Sequence, residues 1–368
     1  MAGARAQNPP GGRHLRRPCG GFGNLVITLA QYALILLLAA AVSLLLNRLL
    51  APLLARYALA RPNARSSHKV PTPEGGGIGI VVAVLAAMLA APLFSALDTS
   101  ALVALWPVAA GVALLAATGA CDDIFDLPVG PRLVLQLIAV GAALAALPDA
   151  SRVVPLLPWW VERIALLLAG VYLVNLVNFM DGIDWITVAE VVPVTAALWL
   201  AAQVGALSPP DSALAIAVTG AMLGFAPFNR PVAKLFLGDV GSLPLGLLLF
   251  WLLTRLAANG HLAAALLLPL YYLADATVTL VRRLLRGENV LRAHRTHFYQ
   301  RATDLGFSVN EVVARVFVVN LLLAGLAVFS ISATSAIVEV GLLMIGSAAV
   351  WALLVHFSHQ KSGIRRQP

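Results

Sequence analysis

Of the 368 residues, 60% are hydrophobic and only 11% are charged, and the mean hydropathy is +0.88. A water-soluble domain of this length needs far more charge on its surface, so that class is excluded. The formal net charge of +8 would suggest nucleic-acid binding in a soluble protein; here the basic residues sit mostly in short connectors between apolar runs, where they report membrane topology.

Residues 1–24, rich in Gly, Pro and Arg, read as a disordered N-terminal tail. The apolar run that follows is too long for the h-region of a signal peptide and no A-x-A site ends it, so a retained first helix is predicted over 25–46. Ten further apolar stretches follow, at 76–97, 101–120, 133–149, 164–179, 186–206, 213–228, 243–257, 261–281, 311–331 and 335–356. Several are short, but runs of about 18 residues cross a bilayer as helices. The predicted fold is all-α: a polytopic integral membrane helix bundle of about 11 transmembrane helices, forming one domain over 25–357, with 358–368 as a basic tail. Cys19 and Cys121 lie far apart, which gives neither a zinc site nor a disulfide framework.

The parity of the spans sorts the connectors. Those after odd-numbered spans, together with the C-terminal tail, hold Arg56, Arg61, Arg65, Lys69, Arg132, Arg230, Lys234, Arg282, Arg283, Arg286, Arg292, Arg295, Arg301, Lys361, Arg365 and Arg366. The opposite connectors hold Arg152, Arg163 and Arg255. The positive-inside bias puts the odd connectors in the cytoplasm, although Arg5, Arg13, Arg16 and Arg17 of the tail would then face outward.

The same side gathers the chemistry: Asp122, Asp123, Asp126, Asp181, Asp184 and Asp239, with Asn178, Asn229, Lys69, His294 and His297. Converging carboxylates at a membrane boundary need a cation, and their oxygens suit magnesium or manganese bridging to a phosphate. In chain order, His68-Lys69-Val70-Pro71-Thr72-Pro73-Glu74-Gly75-Gly76-Gly77 leads into the second span, and Lys69 offers a point charge for phosphate or merely stops transfer. Asp122-Asp123-Ile124-Phe125-Asp126 reads as a metal–phosphate or acid–base site, or as a solvated loop. In Asn178-Phe179-Met180-Asp181-Gly182-Ile183-Asp184, Gly182 turns the chain between two carboxylates. Asn175, one turn before Asn178, is read as an interhelical hydrogen-bonding residue. Phe236-Leu237-Gly238-Asp239-Val240-Gly241-Ser242 brings glycines to a helix start, where backbone N–H groups can meet an anion and Asp239 a metal; otherwise it is a turn capped by Ser242. Arg292-Ala293-His294-Arg295-Thr296-His297 can bind pyrophosphate, or lie against anionic headgroups.

Taken in order, these five segments resemble the polyprenyl-phosphate N-acetylhexosamine-1-phosphate transferase superfamily, over residues 25 to 310. The order S-H-K-x-P-T-P-x-G-G-G, D-D-x-x-D, N-F-M-D-G-x-D, F-x-G-D-x-G-S, H-R-x-H is far more specific than any piece. The resemblance implies a helix bundle with its active site on the cytoplasmic face of the bacterial inner membrane. It implies the transfer of a sugar phosphate from a UDP-N-acetylhexosamine to undecaprenyl phosphate, with release of UMP, as the first step of a cell-envelope polysaccharide such as O-antigen. By motif match, Asp239 is the magnesium ligand and Asp122 and Asp123 the catalytic pair. Lys69, Asn178, Asp181, Asp184, Asn229, Phe236, His294, Arg295 and His297 are the substrate-binding residues. Membrane lipid is a further partner, nucleic acid is not, and a homodimer is among the expected assemblies.

Two residues depart from the family pattern: Trp185 replaces the last glycine of D-G-x-D-G, and Glu74 stands where arginine is common. The rivals are an aspartate-rich membrane prenyltransferase, which needs a second D-D-x-x-D run, and a lipid or solute transporter, which puts ionisable groups at mid-membrane. The spans are nearly free of charge apart from Arg48, Asp275 and Glu190, which weighs against a transporter; Asp275 either supports the site from below or marks a conduit.

Overall fold

The computed structural model describes residues 22–60, 71–94, 96–289 and 294–359. Thirteen helices are seen among them. They are α1 (Phe22–Tyr57), α2 (Gly77–Ala90), α3 (Thr99–Phe125), α4 (Val129–Ala145), α5 (Trp159–Met180), α6 (Ile186–Gln203), α7 (Pro209–Phe225), α8 (Asp239–Ala258), α9 (Leu262–Leu267), α10 (Leu270–Leu285), α11 (Phe298–Asp304), α12 (Val309–Ile331) and α13 (Ala336–Phe357). Helices are what lipid demands, because each one satisfies its backbone groups internally. Two short strands, β1 (Leu59–Ala60) and β2 (Thr72–Pro73), pair antiparallel, Leu59 opposite Pro73.

Eight helices are long and apolar enough to cross a membrane: α1, α2 with its 3₁₀ extension, α3, α5, α6, α8, α12 and α13, among the described residues. The chain is a multi-pass membrane protein. The apolar α4 is shorter. The helix α8 is apolar on all sides and 94% buried, so it forms the centre, whereas α1 at 22% and α13 at 28% turn their apolar side chains outward.

Three differences from the predicted spans have physical causes. The first and third spans, predicted to end at 46 and 120, continue as helix to Tyr57 and Phe125. A helix needs no partner for its backbone and so runs past the apolar stretch; Asp122 and Asp123 therefore project from the last turn of α3, not from a loop. Asp126, left-handed at φ 50°, then closes α3. The predicted span 261–281 is broken into α9 and α10 at Pro269, whose nitrogen cannot donate. The short α11 lies in a connector read as irregular.

Buried polar residues within the bundle mend such breaks. Pro193 leaves the Ala189 carbonyl of α6 without its helical donor. Asn320 of α12 donates to that carbonyl (3.0 Å) and to the Glu190 carboxyl (2.7 Å) through one amide nitrogen. Asn320→Leu leaves both acceptors without that donor and is expected to cost about 1–3 kcal/mol, read as a fall in the midpoint of thermal unfolding in detergent.

At the end of the bundle away from the acidic segments, polar groups join elements. Asp211 of α7 accepts from Trp251 Nε1 (3.0 Å) and Arg255 Nε (3.1 Å) of α8, and Glu162 accepts from the Val153 N–H (2.6 Å) and Arg152.

Candidate active site

The site forms where the C-terminal ends of α3 and α5 meet the N-terminal ends of α4 and α8. Close backbone contact sets this meeting. A Cβ on Gly119 of α3 would stand 2.2 Å from the Asp239 carbonyl carbon, and one on Gly77 of α2 would stand 2.1 Å from Gly241 Cα. Glycine is required at both positions for the helices to approach. The segment before α2 is zipped to the segment before α8: Phe236 N–H donates to the Pro73 carbonyl (2.8 Å), and Gly76 and Gly77 donate to the Phe236 and Leu237 carbonyls (2.9 Å each).

Asp123 accepts from the Asp239 N–H (2.8 Å) and the Val240 N–H (3.2 Å), the first donors of α8. The glycines around Asp239 were expected to offer these N–H groups to a bound anion; the structure corrects this. The anion at the start of α8 is Asp123 itself, because the close packing of α3 brings its carboxylate there. Gly241 and Ser242 donate to the Gly238 carbonyl (3.0 Å each). Nor is Ser242 the cap. It lies inside α8 and accepts from Asn178 Nδ2 (3.0 Å), which also donates to Asp239 Oδ1 (2.5 Å).

The Asp122 and Asp239 carboxyls lie within hydrogen-bonding reach of each other. Arg132, in the first turn of α4, pairs with Asp122 and lies 3.8 Å from Asp239. One turn deeper, Asn175 donates to Gln136 Oε1 (2.6 Å), the interhelical role read for it from sequence, and this fixes α5 against α4 beneath Asn178 and Arg132.

The remaining acids border this centre. Asp181 accepts from the Thr187 hydroxyl. Burial raises its pKa to about 7, with the charges of Asp184 and Asp123 adding to the rise and the Thr187 hydrogen bond opposing it. Glu74 is raised to about 8 by burial, then by the charges of Asp123, Asp181 and Asp122. Such crowding calls for positive charge. Among the described residues no three His, Cys, Asp or Glu side chains form a ready metal cage. Magnesium asks for less: one or two carboxylates, with water and substrate phosphate completing its shell. Asp239 with Asp122 beside it fits that ion.

A second layer joins the loop after α5 to the loop after α7. Asp184 is buried and accepts the Ala233 N–H (2.9 Å). Asn229 is buried, accepts the Trp185 N–H (2.8 Å) and donates to the Leu235 carbonyl (3.1 Å), so both ends of its amide are engaged within the loops. Trp185 holds a left-handed backbone at φ 63°, a conformation that costs a residue with a Cβ about 1–2 kcal/mol. That is the reason glycine suits the place. Here the indole N–H to the Ala226 carbonyl (2.7 Å) and the backbone N–H to Asn229 Oδ1 hold the strained backbone.

The histidine segment docks on the same end. Tyr299 of α11 donates to the Phe179 carbonyl (3.1 Å). His294 and Arg295 are half-buried, Arg295 pairing with Asp304 (3.1 Å), while His297 is only 2% exposed and lies behind them. Lys69 lies outside the described residues. Asp122, Asp123, Asn178, Asp181 and Asp239 are thus brought together, whereas Asp184 and Asn229 stand behind them and Phe236 fixes backbone. Sequence reasoning counted Arg132 only for topology and Glu74 only as a departure. The signal for Arg132 was its place ten residues after Asp122, at a helix start facing two acids.

Residues 105–257, from within α3 to within α8, match the sequence profile of glycosyl transferase family 4. Decaprenyl-phosphate N-acetylglucosaminephosphotransferase of Mycolicibacterium smegmatis is 29% identical over 325 residues, 79% of this chain and 80% of that protein. The probable undecaprenyl-phosphate N-acetylglucosaminyl 1-phosphate transferase of Bacillus subtilis is 25% identical, over 85% of this chain and 86% of that protein. Phospho-N-acetylmuramoyl-pentapeptide-transferase of Moorella thermoacetica is 31% identical, over 57% of this chain and 71% of that protein. Since the matched region spans the helices that build the acidic site, and the likeness extends over most of each relative, the chain belongs to glycosyl transferase family 4, the family of the polyprenyl-phosphate N-acetylglucosamine-1-phosphate transferases.

Proposed function

We propose that the protein transfers N-acetylhexosamine 1-phosphate from a UDP-sugar to undecaprenyl phosphate, giving undecaprenyl-diphosphate-sugar and UMP, and so starts a cell-envelope polysaccharide. The observation that carries this reading is the Asp122–Arg132–Asp239 cluster at the end of the bundle, in a chain whose relatives are named as N-acetylglucosamine phosphate transferases of decaprenyl or undecaprenyl phosphate. The basic bias of the connectors on that side supports a cytoplasmic site in the bacterial inner membrane.

A phosphate oxygen of the lipid attacks the sugar-proximal phosphorus of the donor. The new P–O bond forms as the bond to the bridging oxygen breaks, and that oxygen leaves with UMP. Both reactants are anionic, so their approach needs fixed positive charge. Arg132 supplies one such charge, and Lys69 is the second by motif. Magnesium, held by Asp239 with Asp122 at its side, would supply further charge neutralisation for the phosphates. Asp122 takes the residual proton of the lipid phosphate. Asp123 acts through Asp239, by fixing the start of α8. Asn178 orients the Asp239 carboxylate, Asp181 borders the donor, and His294 and Arg295 face its phosphates.

The test is UMP release from the detergent-purified full chain, given undecaprenyl phosphate, magnesium and UDP-N-acetylglucosamine or UDP-N-acetylgalactosamine. Release that requires both lipid phosphate and metal is expected. No release with any donor, from protein shown to be folded, would overturn the assignment.

A further inference from the structure

Asp275 lies within α10 with no exposed surface, and the chemistry above makes no use of it. Its carboxylate has five hydrogen-bonding neighbours. Oδ1 faces the Phe298 N–H (2.9 Å), His297 Nδ1 (3.3 Å) and Thr279 Oγ1 (3.4 Å). Oδ2 faces the Tyr299 N–H (3.2 Å) and the Tyr271 hydroxyl (3.2 Å). Two of these donors are the first backbone N–H groups of α11, which have no partner within their own helix. Burying a carboxyl among apolar helices is costly, and these donors offset that cost. What the carboxylate adds is direction.

A carboxylate only accepts, so His297 presents Nδ1–H to it, and in the neutral ring Nε2 is then left as the acceptor. The His297 ring stands between His294 (centroids 4.8 Å, planes at 31°) and Tyr299 (5.9 Å, 22°). Beyond it, the Tyr299 hydroxyl meets the Phe179 carbonyl, and a Cβ on Gly182 would lie 2.2 Å from that hydroxyl. One line of contacts therefore runs from Asp275 through the start of α11 to the loop that carries Asp181.

We propose that Asp275 is the positioning residue of the histidine segment. It sets the ring tautomer of His297 and clamps α11 against the Asp181 loop, so that His294, packed against His297, stands at the edge of the acidic site. This assignment rests on the transferase reading for its effect on turnover, but not for its effect on the ring.

The test uses the full chain in detergent with Asp275→Asn, Asp275→Glu, His297→Gln and the double variant of Asp275→Asn with His297→Gln. The first readout is the ring ¹⁵N signal of His297 in histidine-labelled protein, identified by its loss in His297→Gln. The proposal expects a protonated Nδ1 in the parent protein and a shift to protonated Nε2 in Asp275→Asn. The second readout is UMP release. Asp275→Asn is expected to lower kcat about 10–100-fold, with the KM for lipid phosphate changed by less than about twofold. The double variant should be no slower than the slower single variant, because both changes break one chain of contacts. Asp275→Glu, which keeps a carboxylate, should recover part of the rate, and it carries the test if Asp275→Asn does not fold. An unchanged His297 ring on removal of the carboxylate, or single-variant losses that multiply in the double variant, would overturn the proposal. If the parent protein releases no UMP, the transferase reading fails, while the ring signals still decide whether Asp275 sets the tautomer.

Discussion

Asp239→Ala is expected to lower UMP release about 10³-fold while leaving the protein folded. Asp239 is the point where the other groups of the site converge: Asn178 donates to it, Asp122 lies against it, and Arg132 lies 3.8 Å away. Removing its carboxylate takes away the expected metal ligand and leaves Arg132 paired with Asp122 alone. The fold should tolerate the change, because Asp123 holds the start of α8 through the backbone N–H groups of residues 239 and 240, which alanine retains. The check pairs UMP release with thermal unfolding in detergent. More than a tenth of the parental rate would remove Asp239 from the centre of the chemistry.

Gly119→Ala is expected to cost both stability and rate, for a different reason. The added methyl would stand 2.2 Å from the carbonyl carbon and oxygen of Asp239 and 2.4 Å from the Val240 nitrogen. These are backbone atoms, which cannot rotate aside, so α3 and α8 must separate. Overpacking of this kind costs about 1–3 kcal/mol. A displacement of about 1 Å between reacting groups is enough to lower a rate about 10²-fold, and here it would part Asp122 from Asp239. A lowered unfolding midpoint together with a kcat reduced about 10²-fold is the expected pair of results. Gly141→Ala is the control. A Cβ there meets no atom within 4 Å, and both quantities should stay near parental values.

The sequence by itself determined that this chain is a membrane helix bundle and that its polar groups collect at one end. Both follow from local features. An apolar run long enough to cross lipid must be helical, whatever its neighbours. Alternating spans then put every second connector on the same side. The ordered motifs also revealed the family, because five segments in one order are far more specific than any one. Asp122, Asn178, Asp181 and Asp239 were accordingly legible as one site.

Only the tertiary structure decided what each side chain does there. A helix apolar on all sides, such as α8, carries no periodicity that names its facing partner. The sequence therefore did not show that Asp123 would meet the N–H groups of residues 239 and 240, more than a hundred positions away. For the same reason Arg132 read as a topology charge until α4 brought it to Asp122, and Asn229 read as a substrate-binding residue with no sign that its amide is bonded at both ends within two loops. Asp275 read as an acid that either supports the site from below or marks a conduit. It received a role once Pro269 broke the ninth span and α11 set two backbone N–H groups on its carboxylate. Hydrogen bonds of this kind act over about 3 Å, so their partners are set by which helices pack together, and packing is a property of the whole chain.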